Sequence, residues 1–158
     1  MTSVLSRLAF LVAVAFATVL LADTGVASAD NAYHTERLKF EAVGDAPDLS
    51  AGHVINSHSN GPVRYAREVY MVNGVVPNAS YEVIIQIFFG VDCLGAPDLA
   101  LSTAEILTNA NGQGTASRVF TPDEVAPFGP PLTVHARWVL EREGMVEYQT
   151  HCTVINLD

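Results

Sequence analysis

Basic residues are scarce in this sequence, and so are the patterns that mark common binding and catalytic sites. Eight Lys and Arg stand against 17 Asp and Glu, which gives a formal net charge of −9 at pH 7. A surface of that charge repels phosphate backbones and anionic lipid, so we expect no nucleic acid and no membrane surface as partner. The acidic residues are spread along the chain and predict a solvated surface rather than an acidic tail.

Recognisable catalytic motifs are absent from the sequence. It contains no G-x-S-x-G, no glycine-rich phosphate loop, no H-x-H and no C-x-x-C. These absences argue against nucleophile-elbow hydrolases, phosphate-loop enzymes, a copper–zinc dismutase-like site and a thioredoxin-like centre. The sequence therefore predicts no catalytic residue, no bound metal and no cofactor.

Only one long hydrophobic run occurs, and it lies at the start of the chain. Arg7 precedes an uncharged apolar run over residues 8–22, and an A-x-A pattern at 27–29 stands just before Asp30. The run is shorter than the ~20 residues of a membrane-spanning helix. This arrangement predicts a cleaved signal peptide over residues 1–29, of an alanine-rich kind typical of bacteria, rather than a retained anchor. Residues 30–158 would then form a single domain, secreted or held in the cell envelope.

Cysteine is limited to two residues, Cys93 and Cys152. In an exported protein two cysteines usually pair, because the compartment is oxidising. A disulfide here would close a loop of ~60 residues and stabilise the fold by about 4 kcal/mol on the chain-entropy account. A reactive thiol is the alternative.

Apolar residues alternate with polar ones along most of the chain, which is the period of a β-strand with one buried face. Residues 37–43 and 132–141 alternate in this way, whereas residues 81–90 are apolar on both faces and predict a central strand. Further strands are expected over 51–58, 63–73, 101–108, 115–120 and 146–157. The pattern predicts an all-β, antiparallel β-sandwich of about seven or eight strands, with one short helical turn near residues 121–126.

The segment TNANGQGTASRVF, residues 108–120, reads either as a calcium loop or as a turn. A calcium loop needs carboxylate ligands, and this segment has only neutral amides. The pair Asn111 and Gly112 is instead favoured in type I′ hairpin turns. We therefore expect a hairpin turn between a strand that ends near Thr108 and one that begins near Thr115.

The segment NGVVPNASYEV contains Val75, Pro77 and Tyr81 in a spacing that resembles the tyrosine corner of fibronectin type III and other immunoglobulin-like sandwiches. The resemblance covers about ten residues and implies architecture only, because fold does not determine function. It implies that the Tyr81 hydroxyl bonds back across the corner. In fibronectin-like modules the corner comes late in the chain, whereas here 75 or so residues follow, so the strand order must differ.

Two groups of side chains could form a binding or metal site. The segment RYAREVY places Arg64, Tyr65, Arg67 and Tyr70 on one stretch, which suggests a ligand-facing strand or, alternatively, a sheet face with an Arg64–Glu68 ion pair. Carboxylates for hydrolysis would come from Glu82, Glu105, Glu141, Glu143 or Glu147. The five histidines are read as scattered surface residues or as a converging metal set; they are His34, His53, His58, His135 and His151.

These observations favour an exported, non-enzymatic binding or interaction module whose partner is another extracellular or cell-wall macromolecule. The alternative is an exported enzyme, a hydrolase or a metal-dependent oxidoreductase, with histidines gathered from distant strands. A secreted structural protein without a specific ligand is a third reading.

Overall fold

The computed structural model describes residues 33–59, 66–125, 127 and 132–157. The predicted signal peptide and two residues of the basic-aromatic stretch, Arg64 and Tyr65, lie outside the described residues. The expectation of a single domain over residues 30–158 stays a prediction.

The described residues form nine strands and one helical turn, which confirms the all-β class. The strands are β1 (Tyr33–Ala42), β2 (Ala51–Ser59), β3 (Ala66–Asn73), β4 (Ser80–Phe88), β5 (Leu99–Leu107), β6 (Gln113–Phe120), β7 (Leu132–Arg142), β8 (Met145–Thr150) and β9 (Thr153–Leu157). The helical turn, α1, spans Pro122–Val125. The last predicted strand is divided at His151 and Cys152 into β8 and β9, which raises the strand count above the expected seven or eight.

All strand pairs are antiparallel, in the order β5-β4-β7-β8-β1-β2-β3-β6, with β9 paired to β7. The two edge strands, β5 and β6, meet at the turn that joins them, so the sheet is nearly closed into a barrel. Gly114 permits this approach, because a Cβ atom at that position would lie 2.5 Å from Ile106 Cγ2. Beyond the turn, the described parts of β5 and β6 form no hydrogen-bonded ladder with each other.

The turn between β5 and β6 differs from the predicted type I′ turn. Gly112 has a φ of +68°, but Asn111 is not among the described residues with positive φ. The Asn109 carbonyl accepts a hydrogen bond from Gly112 N–H (3.0 Å), and Asn109 N–H donates to the Gln113 carbonyl (2.9 Å). This is a hairpin loop of three residues, 110–112, whose last residue is a glycine in the left-handed backbone conformation. The Asn109 side chain stabilises it, since its Oδ1 accepts hydrogen bonds from the N–H groups of Asn111 and Gln113.

The core lies on the inward face of the nearly closed sheet, where alternate residues of each strand meet. Its fully buried members include Trp138, Tyr70, Tyr81, Tyr148, Phe40 and Leu140. Strand β4 lies between β5 and β7, as its apolar residues on both faces predict. Phe88 and Val139, on the opposite face from that core, are buried as well.

The corner before β4 carries the contact that the tyrosine-corner resemblance implies. The Tyr81 hydroxyl accepts a hydrogen bond from Val76 N–H (3.3 Å) and donates one to Glu147 Oε2 (2.9 Å). Val75 is buried and Pro77 is exposed. The turn at Gly112 lies against this corner, because its carbonyl accepts hydrogen bonds from the N–H groups of Gly74 and Val75.

Cys93 and Cys152 are joined in a disulfide, with their Cα atoms 5.7 Å apart and a sequence separation of 59. The bond links the loop between β4 and β5 to the segment between β8 and β9.

We expect the double variant Cys93→Ala, Cys152→Ala to lose about 4 kcal/mol of unfolding free energy, because the unfolded chain regains the freedom of a long loop. Urea denaturation with linear extrapolation measures this loss. Wild-type protein under reducing conditions is the control and should match the double variant. Equal stability of the oxidised wild type and the double variant would contradict the prediction.

Candidate functional site

A cavity of about 330 Å³ lies between the two edge strands, at the end of the sheet away from the 109–113 turn. Both edge strands contribute to its wall, which is possible because β5 and β6 separate after the turn. The lining is largely apolar and includes Ala66, Ile85, Ile87, Leu101, Phe120, Val134 and Ile155. Its polar members are Asn56, His58, Glu68, Ser102, Arg118 and Glu124.

Three of the polar side chains come from one row of residues that runs across three neighbouring strands. Asn56 on β2 is paired with Glu68 on β3, and Glu68 is paired with Arg118 on β6. The next inward row towards the 109–113 turn contains Val54, Tyr70 and Ala116 in the same order. Because residues two apart share a face, the polar row lies between the packed core and the open end of the sheet.

Glu68 is the central polar group of the cavity. The residue is only 2% exposed. Its Oε2 accepts a hydrogen bond from Trp138 Nε1–H (3.0 Å) and is hydrogen-bonded to the Tyr70 hydroxyl. The Tyr70 hydroxyl also lies 2.7 Å from Thr103 Oγ1, which donates to the Val83 carbonyl (3.2 Å). One chain of hydrogen bonds thus joins β3, β7, β5 and β4.

Burial changes the titration of this carboxyl group. Desolvation raises the pKa of Glu68 from 4.5 to about 7, while hydrogen bonds from Tyr70 and Trp138 and the charge of Arg118 act in the opposite direction. Burial also raises the pKa of Tyr70 far above its ordinary range, with the Glu68 charge adding to the effect, so the phenol keeps its proton. Near neutral pH the carboxyl group therefore exists in both protonation states.

A count of hydrogens supports the neutral state of Glu68. The chain contains three oxygen–oxygen contacts, from Glu68 to Tyr70, from Tyr70 to Thr103 and from Thr103 to the Val83 carbonyl. Tyr70 and Thr103 supply one hydrogen each, because a hydroxyl group has a single proton. The third contact has a hydrogen only when Glu68 is protonated. The chain of hydrogen bonds is complete for the carboxylic acid and incomplete for the carboxylate.

Arg118 lies at the mouth of the cavity and is paired with Glu124 of α1. The other oxygen of Glu124 accepts hydrogen bonds from Thr121 N–H (2.8 Å) and Thr121 Oγ1 (2.9 Å). These bonds lower the pKa of Glu124 and fix its carboxylate at the start of the helical turn. The side chains of Arg118 and Glu124 are 42% and 41% exposed, so the pair contributes little stability and mainly positions the guanidinium group.

Asn56 has a buried amide that the rest of the described chain does not satisfy. The residue is 2% exposed, and its Oδ1 has no hydrogen-bond partner among the described residues. A buried polar atom without a partner costs about 1–3 kcal/mol. Asn56 lines the same cavity as Glu68, its direct neighbour across β2 and β3.

The predicted basic-aromatic face is not formed by its described members. Arg67 is exposed on the outward face of β3, whereas Tyr70 is fully buried on the inward face. They are three residues apart on a strand, so their side chains point to opposite sides. The Arg64–Glu68 ion pair stays a prediction, because Arg64 lies outside the described residues; Glu68 itself shares the inward face with Tyr70. Sequence reasoning missed Glu68, although its spacing of two from Tyr70 was the available signal.

The histidines are distributed over both faces. His34 and His58 stack with their ring centroids 5.2 Å apart, and His53 lies on the outer face beside Arg37. His135 Nδ1 lies 2.9 Å from the Gly90 carbonyl oxygen, and His151 is exposed. Within the described ranges, no group of three or more His, Cys, Asp or Glu residues has an arrangement that could hold a metal ion.

The carboxylates considered for hydrolysis lie away from the cavity. Glu82 is paired across the sheet with both Glu105 and Glu141, on the side of β4 opposite to its core residues. Glu147 is buried and is hydrogen-bonded to Tyr81 and Arg142.

Comparison with known protein families, curated proteins and solved structures finds no match. No helix in the described part of the chain has the length and apolar character that a membrane crossing requires. Function is therefore inferred from the residues of the cavity.

We expect wild-type stability to fall as the pH rises from about 5 to about 8, relative to the variant Glu68→Gln. The folded-state pKa of Glu68 is raised, so the unfolded chain loses its proton first and the folded state holds more protons between pH 4.5 and about 7. The contribution of Glu68 to the free energy of unfolding is therefore fully present below the pKa that Glu68 has in the unfolded chain. About 3 kcal/mol of it is lost once the pH exceeds the pKa of Glu68 in the folded state.

Urea denaturation of both proteins at several pH values measures this difference. Subtracting the Glu68→Gln profile removes the contribution of every other titrating group. Parallel profiles for the two proteins across this pH window would show that Glu68 titrates normally.

Proposed function

We propose that this chain is an exported, non-enzymatic binding protein that holds a small, mostly apolar molecule in the cavity between β5 and β6. The observation that carries the proposal is the cavity of about 330 Å³ with apolar walls and a few convergent polar groups. Ligand pockets for small molecules have this composition, and their volumes begin at ~300 Å³. The proposal keeps the binding role expected from the sequence and replaces an outer surface with an interior site.

The cost of the cavity supports a binding role over a purely structural one. Protein interiors are close-packed, and voids larger than a water molecule are few. Here the inward faces of Ile85, Ile87 and Leu101 line a cavity, although the same sheet buries Tyr81 and Leu140 fully on the side of the 109–113 turn. Selection for stability alone would fill this space with larger side chains.

Export is supported by the disulfide and by the sequence at the start of the chain. Disulfides persist in oxidising compartments outside the cytosol, and Cys93–Cys152 is such a bond. Secreted or cell-envelope localisation follows from the predicted signal peptide.

We also propose that the architecture is an immunoglobulin-like sandwich variant, which the Tyr81 contact with the Val76 backbone supports.

A second proposal retains an extracellular or cell-wall macromolecule as an additional partner. The loop between β4 and β5 exposes three large apolar side chains, Phe89, Val91 and Leu94, next to the disulfide-bonded Cys93. Exposed apolar side chains that are close together often mark interaction surfaces.

We expect Ala66→Phe to weaken the binding of decanol by about tenfold or more, because the added ring occupies cavity volume. Ala66 lines the cavity and is half-buried. Ala100→Phe on β5 is the matched control and should leave binding unchanged, because Ala100 is exposed. Fluorescence of Trp138 reports binding, since it is the one tryptophan of the chain and its indole is bonded to Glu68.

Two results would contradict the binding proposal. One is the absence of any saturable fluorescence or calorimetric change with decanol and related decyl compounds. The other is equal decanol affinity in Ala66→Phe and Ala100→Phe, which would locate binding elsewhere.

The enzyme alternative is favoured by one observation, the pKa of Glu68 at about 7 inside a cavity. A carboxyl group with such a pKa suits general acid–base catalysis near neutral pH. In ester hydrolysis the Glu68 carboxylate would take a proton from water as the water oxygen attacks the ester carbonyl, and would return that proton to the leaving alkoxide as the acyl C–O bond breaks, which yields the acid and the alcohol.

Hydrolysis of para-nitrophenyl decanoate separates binding from catalysis. The binding proposal predicts no nitrophenol release above that of buffer, in wild type and in Glu68→Gln alike. The enzyme alternative predicts release by wild type that rises with pH through about 7 and disappears in Glu68→Gln.

A further inference from the structure

We infer that the ligand is an apolar molecule with a hydroxyl head group, which is held between Glu68 and Asn56 at the inner end of the cavity. This inference rests on the binding function proposed above. It specifies the chemistry of the polar part of the ligand, which the apolar lining alone does not.

The acceptor for the hydroxyl group is Glu68 Oε1, to which no described residue donates a hydrogen bond. Both Tyr70 and Trp138 bond to Oε2, which leaves Oε1 as the second oxygen of a residue that lines the cavity. When the acid proton lies between Oε2 and Tyr70, Oε1 is a carbonyl-type oxygen that only accepts hydrogen bonds. A ligand must therefore donate a hydrogen to this position.

The second partner of the hydroxyl group is the Asn56 amide. Asn56 and Glu68 are paired on neighbouring strands, and such strands lie ~4.8 Å apart, so one small polar group can bridge the two side chains. The amide has both a donor and an acceptor and can present either one by turning about its terminal torsion. A hydroxyl group donates its single hydrogen to Glu68 Oε1, and its oxygen accepts one from the Asn56 side-chain N–H once the amide has turned, which also moves the Asn56 oxygen that has no partner among the described residues.

The charges around Glu68 disfavour an ionic head group. Arg118 on β6 is the cation paired opposite Glu68, and Glu124 of α1 already bonds it. Glu36 on β1 continues the same row beyond Asn56, and His58 on β2 stacks on His34. Among the described residues that line the cavity, Arg118 is the one Arg or Lys, so a carboxylate ligand would meet Glu68 beside a cation that is already paired. An ammonium group would lose its hydration beside an acid that is largely neutral below pH 7.

The inference is tested with four probes that share a decyl chain: decanol, decyl methyl ether, decylamine and decanoic acid. The ether keeps the acceptor oxygen of the alcohol but has no hydrogen to donate. We expect wild-type protein to bind decanol about tenfold more tightly than the ether, and more tightly than the amine or the acid, by calorimetry at about pH 5.5, where Glu68 is protonated.

Asn56→Leu should weaken decanol binding by about tenfold, because one of the two partners is lost. Its folding is checked by denaturation, and it should be at least as stable as wild type because no described hydrogen bond to Oδ1 is removed. Asn73→Leu is the matched control at the other end of β3, beside Gln113, and should bind decanol as wild type does.

The outcomes separate this inference from the binding proposal. Equal affinity for decanol and the ether would overturn the hydroxyl assignment while leaving the binding function in place. Tightest binding of decylamine or decanoic acid would also overturn it, in favour of an ionic head group. If none of the four probes binds, the proposed function itself fails.

Discussion

The burial of one carboxyl group, that of Glu68, constrains more of this structure than any other interaction. A carboxyl group inside a protein needs hydrogen-bond partners, because water no longer solvates it. The partners of Glu68 come from distant parts of the chain: Trp138 is 70 residues away, and Tyr70 links onward to Thr103, 33 residues beyond it. These contacts require β3, β4, β5 and β7 to enclose a common interior, which is the condition for a nearly closed sheet.

The same carboxyl group divides the interior into two parts. On the side of the 109–113 turn, large side chains such as Tyr81 and Leu140 are fully buried. On the other side, Glu68 and Asn56 face a cavity whose walls are apolar. Two features lower the stability there near neutral pH: the raised pKa of Glu68, and the Asn56 amide oxygen that has no partner among the described residues. Natural proteins tolerate such costs mainly at functional sites. The position of the polar row therefore links the packing of the core to the proposed binding role.

The strands could be predicted from the sequence because alternation is a local property. Residues 37–43, 81–90 and 132–141 each carry the pattern of the strand that they form. The site could not be predicted, because Glu68 stands in a charged stretch beside Arg67. Its partner Trp138, and the Thr103 that bonds Tyr70, become neighbours only through the sheet order. The prediction of a type I′ turn failed for a similar reason, because the Asn109 side chain, rather than the Asn111 backbone, stabilises the loop. Residues that follow a period are predictable, whereas polar contacts between distant strands are not.

The measurement that tests this account most directly is an infrared titration of Glu68 in the intact protein. The difference spectrum between wild type and Glu68→Gln isolates the carbonyl stretch of this one carboxylic acid. The account predicts that the band persists well above pH 4.5 and disappears with a midpoint near 7, as the pKa of the buried acid requires. A band that disappears with the ordinary midpoint near 4.5 would show that Glu68 is solvated, and would contradict the buried hydrogen-bonded chain on which the proposed site depends.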